Sequence, residues 1–325
     1  MTEEIEISAS IAPDMQPDTK GLGYDLDTAL SAIVTVRTRI PDDAFTAQIL
    51  GTERAGHAVR INDSGLLVTI GYVVAEAEEI WLIGGNQQAV PGHVVGYDYE
   101  TGFGLVQTLG RMDLPWLELG DSDEIGAGDA VVVAGCGGRD QALAAAVVDK
   151  REFAGYWEYV LDEAIFTAPP HPNWGGAALL AGDGTLAGIG SLYVENVSPD
   201  VASGNMIVPI NILRPVMDEM LKYGTTLKPP RPWLGIFVTE AQDNLVVAGV
   251  LDGGPAERAD IQTGDVVIGV DGERTRNLAD FFRHIWSYGN AGCEVPLVLY
   301  RDGAAFDVHV RSIDRRDQFK SPELH

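Results

Sequence analysis

The chain has 325 residues, 46% of them hydrophobic, which is too long for one ordinary domain and well outside the disordered range. Its formal net charge of −26, from 22 basic against 48 acidic residues, counts against nucleic acid and anionic membranes as partners. No apolar run reaches the roughly eighteen residues needed to cross a bilayer, so membrane insertion is not expected. The start, Met1-Thr-Glu-Glu, is acidic where a secretory signal is basic. Cys136 and Cys293 fall in different predicted domains, so no disulfide is expected and a cytoplasmic location is favoured.

Residues 1–28 are polar and acidic without a periodic apolar pattern, and read as a flexible arm. Short apolar runs follow at 32–37, 66–69, 80–83, 104–108, 130–134, 143–148 and 186–191, bounded by Gly, Asp and Asn. That spacing predicts an all-β barrel or sandwich in two blocks, broken near 109–119. Leu213, Val216, Met217, Met220 and Leu221 predict a helix over 212–223, with Asn211 as a possible cap and Gly224 as its stop. Together these define a domain at 29–224. The run Lys228-Pro-Pro-Arg-Pro232 is stiff and extended, and marks a linker at 225–232. A second domain at 233–315 alternates strands with a helix over 278–286, and 316–325 is a charged tail.

Several motifs resemble the HtrA family of trypsin-fold serine proteases in their order and spacing. They are Leu114-Pro-Trp-Leu-Glu-Leu-Gly-Asp-Ser-Asp123, Ile125-Gly-Ala-Gly-Asp129 and Gly204-Asn-Met-Ile-Val-Pro-Ile-Asn211. Beyond the linker, Pro232-Trp-Leu-Gly-Ile-Phe237 and Gly264-Asp-Val-Val-Ile-Gly-Val-Asp-Gly272 are similar to a PDZ domain of that family. The resemblance implies a mainly β fold: a trypsin-like double antiparallel barrel, then an α+β PDZ domain. It also implies a homo-trimer, with the segment around Leu30–Phe45 near the contact and residues 40–46 forming its early loop.

The positions matching the family's catalytic triad hold other residues. In Val68-Thr-Ile-Gly-Tyr-Val-Val74 the position of the general base is Tyr72, and in Thr101-Gly-Phe-Gly104 that of the aspartate is Gly102. In Pro172-Asn-Trp-Gly-Gly176 the nucleophile's position is Trp174. A phenol with an ordinary pKa near 10 does not take a proton at neutral pH as imidazole does. Glycine offers no carboxylate, and indole offers a donor N–H without a nucleophile. Loss of such a triad costs about six orders of magnitude in turnover, because its members act as a unit. Pro172 stands where the family has an oxyanion-hole donor and has no N–H, a further loss of about 3–4 kcal/mol.

The remaining candidates read more plainly. His171 is a loop histidine, Cys136 a packed small residue, and Asp121 and Asp123 are loop acceptors. His57, His93 and His171 lack ligand spacing, so neither a metal nor another cofactor is expected. Trp174 either plugs the cleft or forms a new binding surface.

A PDZ domain adds a peptide as a strand and holds its C-terminal carboxylate on free backbone N–H groups. Leu234, Gly235 and Ile236 match that loop, while Leu278, Phe281, Phe282 and Ile285 share one face of the helix, divided between groove and core. The groove is open to partners, filled by the protein's own chain, or serves only to pack against the barrels, and residues 322–325 are a weak candidate for self-binding. The sequence thus reads as a non-catalytic adaptor or scaffold that binds a protein partner or peptide C-terminus. A holdase chaperone is the alternative, and an active hydrolase with a rebuilt site ranks lowest.

Overall fold

The computed structural model describes residues 10–320, which divide into two compact units. The first contains 12 strands. β1 (Ile33–Arg39), β2 (Glu53–Arg60), β3 (Leu66–Ile70), β4 (Glu79–Gly84), β5 (Ala89–Tyr97) and β6 (Phe103–Thr108) close into a barrel in the order β1-β2-β3-β6-β5-β4. β7 (Ala130–Ala134), β8 (Ala142–Gly155), β9 (Tyr159–Ala168), β10 (Ala178–Leu180), β11 (Leu186–Ser198) and β12 (Val201–Pro209) close a second, in the order β10-β11-β12-β9-β8-β7. Closure gives every strand two partners and leaves no edge exposed. β3 is buried along its whole length, so its Leu-Leu-Val-Thr-Ile run shows no alternation.

Two local readings are corrected. Residues 10–28 are held against this unit rather than projecting as a flexible arm. Ile11 is buried and donates its N–H to the Asp140 carbonyl at 2.7 Å, and Asp27 pairs with Arg139. Single apolar anchors such as Ile11 and Leu26 dock without any period that a sequence pattern could reveal. The helix after β12 spans Arg214–Tyr223, and Asn211 does not cap it. The Asn211 amide instead accepts from Ser122 N–H and donates to Asp121. Gly224 ends the helix in the left-handed conformation (φ 75°), as expected, with its N–H on the Met220 carbonyl. Residues 322–325, named above as possible self-ligands, lie outside the described residues.

The second unit has β13 (Ile236–Ala241), β14 (Asn244–Val250), β15 (Val266–Val270), β16 (Glu273–Arg274), β17 (Glu294–Arg301) and β18 (Ala304–Arg311). Five of these form a sheet in the order β13-β14-β15-β17-β18, and β16 pairs with β15. The helix Leu278–Ser287 is capped by Asn277, whose side chain accepts from Asp280 N–H at 2.8 Å. Its apolar face packs into one core with Ile236, Val238, Val247, Leu297 and Leu299. This unit also includes Glu152–Asp162, the tip of the β8–β9 hairpin. The domain expected at 29–224 contains this segment whole, whereas in the structure its contacts are with the second unit.

Phe281 is fully buried in this core. Phe281→Ala should cost about 3–5 kcal/mol. The check is the urea midpoint of the second domain, which should fall while the first domain keeps its own.

Candidate functional site

Tyr72 lies in the short helix Gly71–Val74 that follows β3, and Gly102 in the turn before β6. Gly71 N–H donates to the Gly102 carbonyl at 2.7 Å. Gly71 must be glycine, because a Cβ there would meet the Tyr97 ring at 2.0 Å. The Tyr72 hydroxyl donates to the Ser191 carbonyl on β11 at 2.8 Å and receives a hydrogen bond from the Trp174 side chain. Burial pushes this phenol up, away from ionisation. The Trp174 ring packs on Tyr193 with 5.7 Å between centroids. The fold therefore brings together all three positions singled out in the sequence. Ser191 and Tyr193, which complete the contact, were not among them.

The loop around Trp174 is fixed by its backbone. Gly175 accepts from His57 N–H at 2.8 Å, and Gly176 donates to the Gly190 carbonyl at 2.8 Å. Pro172 is exposed at its edge. His171 is fully buried: its Nδ1 accepts from Asn173 N–H and its Nε2 faces the Gln141 carbonyl at 3.1 Å. This is a satisfied structural histidine with a neutral ring. His57 Nδ1 accepts from Cys136 N–H at 3.1 Å, and burial, with His171 nearby, pushes its pKa down to about 3. Burial likewise pushes the Cys136 thiol up, which keeps it protonated and unreactive. Asp121 accepts from Asp123 N–H within its own turn. Among the described residues no cluster of three His, Cys, Asp or Glu is placed to hold a metal ion.

A second site lies in the second unit. Gly235, with φ 69°, turns three consecutive N–H groups inward, and all of them meet one carboxylate. Glu158, at the hairpin tip, accepts from Leu234 N–H at 3.1 Å, Gly235 N–H at 2.8 Å and Ile236 N–H at 3.1 Å. Two residues earlier, the Tyr156 carbonyl accepts from Val238 N–H at 3.0 Å. Leu278, Phe281, Phe282 and Ile285 are all buried in one apolar cluster, which Val160 of the hairpin joins. Glu158, Tyr156 and Val160 were missed in the sequence. The signal was the aromatic run Phe153-Ala-Gly-Tyr-Trp-Glu-Tyr159, whose rings pack on one another in the structure.

Burial pushes Glu158 up to about 7, against the opposing pull of the three N–H groups and of Arg315. A carboxyl raised above its ordinary 4.5 contributes stability that is full below that value and is lost as the pH rises through about 7. The second domain should therefore unfold at progressively lower urea between pH 5 and pH 8 (a span set by about 4.5 and about 7). In Glu158→Gln, which keeps an acceptor but cannot ionise, that slope should disappear.

Comparison with known proteins agrees with this architecture. Residues 56–189 match the trypsin-like peptidase domain and residues 232–311 the PDZ domain. A probable periplasmic serine endoprotease DegP-like from Pseudomonas putida (strain W619) is 26% identical over 312 residues, covering 90% of this chain and 62% of that protein. Its counterpart from Chlamydia pneumoniae is 23% identical, covering 78% of this chain and 54% of that one. The chain thus spans less than two thirds of the length of these curated relatives. Among solved structures, the HtrA-type protease AlgW with tripeptide matches with a TM-score of 0.52 at 22% identity, covering 89% of this chain and 95% of that one. The serine endoprotease from Yersinia pestis matches with a TM-score of 0.51 at 20% identity, covering 90% and 99%. In domain order and in fold, the chain has a trypsin-like peptidase domain followed by a PDZ domain, and in this it is similar to the DegP-like and HtrA-type proteases.

Proposed function

We propose that the chain is a non-catalytic member of this group, a protein-binding adaptor or scaffold that works through its PDZ domain. The observation that carries this reading is the Tyr72–Trp174 contact. At the positions matching the family's base and nucleophile, a phenol and an indole bond to each other, and the phenol proton is committed to the Ser191 carbonyl. Acyl transfer needs a nucleophile beside a base and an oxyanion hole beside both. Here the side chains at those positions supply neither nucleophile nor base. Gly102, at the aspartate's position, adds no carboxylate, and Pro172 adds no donor N–H.

Peptide binding draws support from the loop at Leu234, Gly235 and Ile236, whose N–H groups do hold a carboxylate. The HtrA-type structure named above carries a peptide, and that property comes to this chain as part of the proposal. Assembly as a homo-trimer is likewise taken from the resemblance. No helix among the described residues is long and apolar enough to cross a membrane. Cys136 and Cys293 are both free thiols, which is compatible with the proposed cytoplasmic location, although the curated relatives are named as periplasmic.

The test is direct. The full chain should hydrolyse fluorescent casein no faster than a buffer blank, and a fluorophosphonate probe should label none of its serines. Labelling of one serine, abolished together with casein turnover by substitution of that serine, would sink the reading and establish a rebuilt hydrolase site.

A further inference from the structure

We propose that the hairpin Glu152–Asp162 is an intramolecular ligand of the PDZ groove, and that an external C-terminal peptide enters only by displacing it. The inference rests on the peptide-binding reading above and adds the regulation of that site. Register carries it. In strand addition, a peptide whose terminal carboxylate sits on the loop runs alongside the neighbouring strand and bonds to it through its main chain. Residues 156–158 follow that path, with the Glu158 carboxylate on the loop and the Tyr156 carbonyl on Val238 N–H of β13.

A true C-terminus would end at this point, whereas here the chain continues. Glu158 adopts φ 60°, a left-handed conformation uncommon outside glycine. The main chain therefore turns away after Trp157, and the side-chain carboxylate is delivered where a terminal one would bind. Further contacts fasten the hairpin. Val160 enters the apolar cluster of Phe281, Phe282 and Ile285, and Tyr156 packs on Phe237 with 6.0 Å between centroids. Arg283, on the groove helix, pairs with Glu152 and with Asp162.

Occupancy of this kind is exclusive. Each of the three loop N–H groups has one proton, and all three are directed at Glu158. A second carboxylate has no donors left to share. The hold is also reversible, because Asp162 is 92% exposed and pairs of that kind contribute little in water. The displacing ligand is a peptide with a free C-terminal carboxylate and an aromatic or aliphatic end.

The experiment uses the full chain and a fluorescein-labelled peptide with the sequence of residues 151–157 followed by a C-terminal valine. Its affinity is measured by fluorescence polarisation for wild type, for Glu158→Ala, and for a variant with residues 153–160 replaced by Asn-Gly. Hydrogen exchange at Leu234, Gly235, Ile236 and Val238 is followed in parallel. Both variants should bind at least about tenfold more tightly than wild type, through the released donors. Their loop amides should exchange faster, and the same peptide with a C-terminal carboxamide should not bind. If wild type binds as tightly as both variants, the internal ligand is overturned and the peptide-binding reading stands. If the loop amides open in the variants and no carboxylate peptide binds, displacement is overturned and the peptide-binding reading falls with it.

Discussion

A pair of glycines holds the two barrels in register at the cleft. Gly175 accepts from His57 N–H, and Gly176 lies so close to the same residue that a Cβ there would stand 1.9 Å from the His57 carbonyl. Gly176 is also at φ 79°, a conformation that side chains resist. This contact is made by backbone alone. It locks the loop before β10 onto β2, and so sets residue 174 opposite residue 72 whatever their side chains are. A frame of that kind can keep its geometry while the chemistry it presents changes. The Tyr72–Trp174 contact is what occupies it in this chain.

The groove of the second unit obeys a related constraint from the opposite direction. Three N–H groups turned inward by Gly235 would be costly to bury without acceptors, about 1–3 kcal/mol for each one left unmade. Glu158 satisfies all three with one carboxylate, but it must leave water to do so, and its pKa of about 7 records that cost. The three hydrogen bonds gained by the loop offset the desolvation of the carboxylate. A neutral acceptor would bind the loop without the desolvation, and a fully solvated carboxylate would avoid the burial. The hairpin sits between these limits, so its hold is sensitive to pH and to competition.

Much of the architecture was legible in the sequence, because short apolar runs and glycine turns encode strands directly. The run at 130–134 became β7 without change. β2 was missed for a physical reason. It carries Arg54, His57 and Arg60, which read as polar, yet all three are buried. Arg54 is accommodated by the Tyr72 and Ala75 carbonyls and the Thr46 hydroxyl, partners that are distant in sequence or absent from any local pattern. Asn211 was mistaken for a cap because a cap is recognised by position, and the competing partners, Ser122 and Asp121, lie about ninety residues away in the chain. Positions 72, 102 and 174 were found by motif alone. Neither motif nor period could show that Tyr72 is satisfied by Ser191.

The hairpin is the sharpest case of this limit, because its role depends on an acidic residue doing what chain ends do. Sequence logic looks for PDZ ligands at C-termini, since only there is a main-chain carboxylate available. A glutamate side chain supplies the same two oxygens from the middle of a chain, provided that the backbone turns away behind it. Glu158 meets that condition with its left-handed φ, and Tyr156 supplies the preceding strand contact. The surrounding charges follow the same logic. The hairpin brings Glu152, Glu158 and Asp162 to a groove whose helix carries Arg283, in a chain that is otherwise strongly acidic. Departure of the hairpin would remove three carboxylates from the site together and leave Arg283 without these partners. A peptide ending in a carboxylate would then meet a groove with three fewer acidic groups, with Asp280 and Glu240 still held at the start of its helix.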